Sequence, residues 1–234
     1  MNKIKSCAII VAGGKGTRMG TNILKQYLEI CGIPVLARTL LSFENCKDID
    51  EIVLVTGKEE IDYCKKEFIE KYNITKVKKV VAGGKERQNS VYNGLKALAE
   101  DTDIVLIHDG VRPFVKSVHI KKIIEETLKY NCCVLGVKVK DTIKICNESK
   151  IVKSTPERKD VWIAQTPQSF KYSLILQAHE EAIKDNFLGT DDSMLVERLG
   201  NKVKMTEGDY DNIKITTPDD IYFCDAIITN QKKI

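Results

Sequence analysis

Several glycine-bearing and charged turns in this chain carry the residue types of a phosphate site. The first, AGGKGTRMG at residues 12–20, follows the apolar run SCAIIV and combines four glycines with two cations, Lys15 and Arg18. A glycine turn leading from a strand into a helix offers backbone N–H groups, and the start of a helix is already electropositive. Lys15 and Arg18 would repel one another there unless an anion occupied the turn. The plainer reading is a tight turn with solvated cations. Lys25, in LKQY just beyond, adds a third positive charge. Spacing rules out a Walker loop, which needs GxxxxGK followed by Ser or Thr. Gly14, Gly16 and Gly20 make GxGxxxG rather than GxGxxG. The next apolar run ends in Thr56–Gly57 with no acidic residue, so dinucleotide binding is disfavoured.

A second backbone-rich turn, AGGKERQNSVYNG, holds Gly84, Arg87 and Ser90. A third, HDGVRPF, puts Asp109 at the end of an apolar run. A carboxylate there suits a ribose or a magnesium ion, or else it caps a helix or pairs with Arg112. His108 reads as a packed histidine without a role. KDTIK carries Asp141 and Thr142, TPERKDVW carries Arg158, and DNIKITTPDD sets Lys214 between Ile213 and Ile215. A strand lysine between isoleucines either faces solvent or reaches a ligand. The set contains cations, glycine turns and one or two carboxylates, with no nucleophile–base pair. It fits transfer at a nucleotide phosphate, where positioning and charge neutralisation do most of the catalysis. A phosphate monoester as acceptor needs no general base, because its second pKa is about 6. Two polyanions must then be brought together, which accounts for the cations and predicts Mg²⁺.

These turns need a scaffold that gathers them, and the rest of the chain supplies one. Short β-branched runs (7–12, 51–57, 77–83, 103–109, 132–139) alternate with amphipathic helical stretches (34–46, 59–72, 87–100, 118–131). Two further helices (172–186, 190–200) and two late strands (202–208, 212–217) complete the pattern. Such alternation predicts an α/β fold, a mainly parallel twisted sheet with helices on both faces and ligands at the carboxyl ends of its strands. Residues 137–166 break the rhythm and read as an extended hairpin around ESK. An arm like that has too little core of its own and is expected to pack on a second chain. The whole of 1–234 reads as one domain.

Composition narrows the class. The net charge of +4 suits an anionic small molecule and, with 6% aromatics, argues against nucleic acid. The eight cysteines include no CxxC spacing and read as reduced thiols of a cytoplasmic protein rather than a zinc site. The first apolar run, CAIIVA, is too short for a signal core or a membrane span.

Taken in order, AGGKGTRMG, LKQY, GGKERQNSV, HDGVRP, KDTIK, TPQSF, GTDDSMLVE and NIKITTPDD span nearly the whole chain. This series resembles the 2-C-methyl-D-erythritol 4-phosphate cytidylyltransferase family of the non-mevalonate isoprenoid pathway. The resemblance implies a Rossmann-like nucleotidyltransferase fold and a homodimer interlocked through the arm. It implies CMP transfer from CTP to methylerythritol phosphate with Mg²⁺, giving 4-diphosphocytidyl-2-C-methyl-D-erythritol and pyrophosphate. It also implies roles for individual residues. Arg18 and Lys25 would act at the α-phosphate, and Arg158 and Lys214 on the substrate phosphate. Asp109, Arg112 and Thr142 would belong to the sugar-phosphate side, Asp109 also near ribose and metal. Ala12, Gly13, Gly14, Lys15 and Gly16 would wrap the triphosphate, while Gly84 and Ser90 would read the cytidine. Leu24, Lys85 and Gly110 depart from the usual pattern, and Gly110 is expected to widen the pocket slightly. The sister family, ribitol-5-phosphate cytidylyltransferase, shares most of these motifs, but GTDDSMLVE favours the methylerythritol family. A non-catalytic nucleotide-binding module would keep the glycine turns without needing all four cations.

Overall fold

The computed structural model describes residues 3–14, 24–217 and 219–231. In chain order it contains β1 (Ser6–Val11), a short hairpin of β2 (Glu29–Ile30) and β3 (Ile33–Pro34), and α1 (Val35–Glu44). Then come β4 (Glu51–Thr56), α2 (Ile61–Cys64), β5 (Val77–Ala82), α3 (Arg87–Ala97), β6 (Ile104–Asp109), α4 (Ser117–Tyr130) and β7 (Cys132–Lys138). The arm strands β8 (Ile145–Cys146) and β9 (Val152–Ser154) lead to β10 (Trp162–Lys171), α5 (Tyr172–Lys184), α6 (Asp192–Arg198), β11 (Lys204–Glu207) and α7 (Asp219–Gln231).

Seven strands form the central sheet in the order β11-β7-β10-β6-β1-β4-β5. Only β10 runs antiparallel to its neighbours. The inner parallel strands β1, β4 and β6 are largely apolar because both faces are covered, as parallel sheets require. Alternate side chains serve opposite layers. Ala8, Ile10, Ile52, Leu54 and Leu106 pack under α1, α4 and the helical segment holding Phe68. Cys7, Ile9, Val53, Val55 and Ile107 pack under α3, α5 and α6. A third cluster joins α7 to the β2–β3 hairpin and the 111–114 turn through Ile30, Val111, Phe114, Ile215, Ile227 and Ile228.

The structure departs from the sequence reading in four places. Residues 212–217 are a loop rather than a strand; turn hydrogen bonds from Asn212 and Ile213 bend it, and Ile215 N–H meets only Val111 O. The segment around TPQSF is a central strand, β10. Its buried Gln165, Thr166, Gln168 and Ser169 hide the apolar pattern that normally signals one. The arm is shorter than 137–166, since 137–138 belong to β7 and 162–166 to β10. Helix α7 is an addition to the sequence reading, because β-branched and aromatic residues dilute its helical signal; the Asp220 carboxylate accepts the Thr216 and Thr217 N–H groups just before it. The lysine-rich end, 232–234, lies outside the described residues. Among those residues no helix is long and apolar enough to cross a membrane.

Candidate active site

Parallel strands β1, β4, β5 and β6 deliver their carboxyl ends to one edge of the sheet, and a cavity of about 620 Å³ opens there. It is lined by Ala12, Gly13 and Gly14 from the turn after β1, by Lys25 and Gln26, by the 84–90 turn, and by Asp109 and Lys214. Thr56 at the end of β4 sits between the two glycine turns. Its carbonyl accepts Gly83 N–H at 2.7 Å, and a Cβ on Gly13 would stand 3.5 Å from its carbonyl carbon. Gln26, 2% exposed, donates to Ala12 O at 2.8 Å and Gly14 O at 3.3 Å and so shapes the first turn. Gly84 N–H donates to Ser90 Oγ at 3.0 Å, which closes the second turn onto the start of α3. Glu86 and Asn89 cap that helix reciprocally.

Charge in the cavity is organised around Asp109. Its carboxylate meets Lys214 Nζ at 2.8 Å and Arg87 Nε at 3.2 Å, with Arg112 Nε at 3.7 Å. Burial alone would push the Asp109 carboxyl up. The charges of Arg87 and Lys214, with Arg112, outweigh that and hold it well below the usual carboxylate range. Arg87 is gripped from its other side by Asp192, whose Oδ2 lies 2.7 Å from Nη1. Asp192 is 1% exposed and keeps its charge for the same reason: burial raises its carboxyl, and Arg87 and then His179 lower it further. A guanidinium in the first turn of a helix opposes the dipole, so Arg87 needs these two anions to stand there. That conflict is the sequence signal by which Arg87 could have been assigned to the site. Asp192 is visible in the sequence only as a second acid in GTDD, after Asp191, which caps α6 by accepting Met194 N–H at 2.9 Å.

Of the residues singled out in the sequence, the cavity brings together Ala12, Gly13, Gly14, Lys25, Gly84, Ser90, Asp109 and Lys214. Arg112 stands behind Asp109. Thr142 and Arg158 lie exposed on the arm, outside this cavity; Arg158 donates to Lys140 O at 3.0 Å. Lys15, Gly16 and Arg18 lie outside the described residues. Gly110 does not widen the cavity: a Cβ there would meet Ala12 Cβ, Val11 O and Leu36 at 3.1–3.2 Å, in the packing beneath the site.

A magnesium ion would find the carboxylates of Asp109 and Glu86 at the cavity wall, the first beside several cations and the second engaged in capping α3. Among the described residues no cluster of three His, Cys, Asp or Glu could hold a metal by itself. The donor set therefore fits Mg²⁺ as an ion carried chiefly by phosphate oxygens, with Asp109 and Glu86 as the cavity carboxylates among the described residues. The arrangement as a whole can bind a polyanion and stabilise charge moving between phosphates. Among the described residues of the cavity no nucleophile is paired with a base; the Ser90 hydroxyl donates to Glu86 O at 3.1 Å.

The sequence model of the 2-C-methyl-D-erythritol 4-phosphate cytidylyltransferase family (IspD) matches residues 6–230. A protein of that name from Geotalea uraniireducens is 49% identical over 223 residues, covering 94% of this chain and 95% of its own. Another, from Clostridium botulinum, is 50% identical over 224 residues, covering 96% and 97%. The crystal structure of a 4-diphosphocytidyl-2C-methyl-D-erythritol synthase from Anaerococcus prevotii superposes with a TM-score of 0.87 at 39% identity, covering 97% of each chain. One from Francisella tularensis gives 0.80 at 30% identity, covering 95% of this chain and 99% of its own.

Proposed function

We propose residue roles and an assembly for a chain that belongs to the 2-C-methyl-D-erythritol 4-phosphate cytidylyltransferase family and transfers CMP from CTP to 2-C-methyl-D-erythritol 4-phosphate in isoprenoid biosynthesis. An oxygen of the acceptor phosphate attacks the α-phosphorus of CTP, the α–β bridging bond breaks, and pyrophosphate leaves with the electron pair. Ala12, Gly13, Gly14, Lys15 and Gly16 wrap the triphosphate with backbone N–H groups. Arg18 and Lys25 answer the negative charge that gathers around the α-phosphate in the transition state. Gly84 and Ser90 hold the cytidine, and Asp109 faces its ribose. Asp109 would help hold a Mg²⁺ ion bound with the triphosphate, and that ion would supply charge neutralisation between the phosphates.

The observation that carries these roles is Lys214 standing 2.8 Å from Asp109 at the cavity wall. Lys214 is 39% exposed, so an incoming phosphate reaches its ammonium from the open side. As Lys214 turns toward the phosphate, Asp109 Oδ2 is released to Arg112, whose Nε is buried without a hydrogen-bond partner. Arg112 and Lys214 then fix the acceptor with its oxygen aimed at the α-phosphorus.

Thr142 and Arg158 complete the acceptor site from the arm. The arm strands β8 and β9 make a two-stranded sheet whose Ile145 and Val152 are 49% and 52% exposed. Apolar side chains on so small a sheet call for a covering surface. We assign that surface to a second copy, so that Arg158 of one protomer serves the site of its partner. A cytoplasmic location agrees with eight free cysteines, six of them buried.

The test is pyrophosphate release from CTP and Mg²⁺ with methylerythritol phosphate, with ribitol 5-phosphate as comparison. Release with the first acceptor is expected. No release with it, or faster release with ribitol 5-phosphate, would overturn the assignment.

A further inference from the structure

The turn carrying Asp109 and Arg112 lies just after β6, and its backbone is held from several elements at once. Gly110 N–H donates to Val11 O at 2.8 Å, Gly110 O accepts from Thr39 Oγ1 at 3.0 Å, and Val111 O accepts Ile215 N–H at 2.9 Å. Two further contacts meet at one side chain. His108 is fully buried, with its ring centroid 4.9 Å from that of Phe43. Its Nε2 lies 3.0 Å from Arg112 O, and its Nδ1 lies 3.0 Å from Thr166 Oγ1. Thr166 Oγ1 in turn accepts Asp109 N–H at 3.1 Å.

Counting donors assigns every proton. A carbonyl only accepts, so Nε2 carries the hydrogen directed at Arg112 O. The Thr166 hydroxyl accepts from Asp109 N–H and has one hydrogen to give, with Nδ1 as the acceptor in reach. Three hydrogen bonds then close one circuit, and no buried polar atom in it is left over. The circuit ties the amide at the start of the turn to the carbonyl at its end.

We propose that His108 is a positioning residue for the acceptor half of the site. Through Thr166 and the Arg112 carbonyl it sets where the Asp109 and Arg112 side chains stand. The proposal rests on the roles given above to those two residues. His108 has no surface exposure and does not line the cavity, so it acts only through them. Arg112 is the sensitive member. Its Nη1 donates to Asn212 O at 2.8 Å, while its Nε stops 3.7 Å from Asp109 Oδ2. Hydrogen bonds to nitrogen run to about 3.2 Å, so a backbone shift of about half an ångström decides whether that contact forms.

Three substitutions separate the two bonds. Gln places an amide nitrogen near the position of Nε2, so His108→Gln keeps the donor to Arg112 O. His108→Asn keeps an acceptor for Thr166 only, and His108→Leu keeps bulk alone. With CTP saturating, kcat/KM for methylerythritol phosphate should fall about tenfold or more in the Asn and Leu variants, the scale of one buried carbonyl losing its donor. KM for CTP should rise less than KM for methylerythritol phosphate, because Arg112 serves the acceptor alone, and Gln should restore most of the loss. A Gln variant no better than Asn, or a parallel rise in KM for both substrates, would overturn the proposal. Should the Asn and Leu variants not fold, Thr166→Val carries the test by removing the acceptor of Asp109 N–H. It should give the same acceptor-side loss, and wild-type kinetics would overturn the circuit. An inactive wild type would sink the assigned reaction instead, so the two failures are distinguishable.

Discussion

Replacing Asp192 with asparagine keeps the shape of the side chain and removes one charge from the Arg87 cluster. Arg87 Nη1 loses its 2.7 Å carboxylate and keeps only Asp109, which already holds Lys214. Breaking one side of a buried ion pair costs about 3–5 kcal/mol. Arg87 is 31% exposed and can recover some hydration, so about 2–3 kcal/mol is the fair expectation. For a chain of this size each kcal/mol moves Tm by about 2–4 °C, giving a fall of roughly 4–12 °C. The assay is thermal unfolding of wild type and Asp192→Asn from pH 8 down to pH 3. Because the folded Asp192 carboxyl is lowered, its contribution is fully present above the unfolded value of about 3.9 and is lost as pH falls through the folded value. The gap between the two proteins should therefore be constant from pH 8 to about pH 5 and narrow below about pH 4. A gap under about 2 °C at pH 7, or one that narrows already near pH 6, would refute the account of Asp192 as the charged anchor of Arg87.

Three other outcomes are expected. Lys25→Ala should cut kcat far more than it weakens CTP affinity measured by calorimetry, since its proposed work is in the transition state; an unchanged kcat refutes that role. Gly84→Ala would put a Cβ 2.4 Å from Asn89 Cβ. It should weaken CTP binding about tenfold or more as the turn and its cap are forced apart, and equilibrium binding checks it. Co-expressing Arg158→Ala with Lys25→Ala should restore about a quarter of wild-type activity, because half of randomly mixed dimers would hold one site with both residues intact; no recovery above either single variant refutes an arm that serves the partner.

Much of the scaffold was legible because inner parallel strands are apolar on both sides and their helices are amphipathic. Where polar residues do the packing, that signal fails. Strand β10 buries Gln165, Thr166, Gln168 and Ser169, satisfied by side-chain partners such as the Gln168–Asp191 contact at 2.7 Å. The loop holding Lys214 looks like a strand in the sequence because Ile213 and Ile215 alternate around it, although Ile215 is there to anchor the loop in the α7 cluster.

The amino-acid sequence by itself determined the family chemistry: glycine turns after strands, cations with no nucleophile, and a carboxylate at a strand end. Those are local requirements, and local residue types meet them. Only the tertiary structure decided which charges share a site. Arg87, Asp109, Asp192 and Lys214 lie far apart in the chain and meet at one sheet edge. Their pairing depends on the order in which strands stack, and His108 acquires Thr166 as a partner only when β10 comes alongside β6. Coulomb energies and hydrogen bonds act over a few ångströms of space, a distance that chain separation does not record.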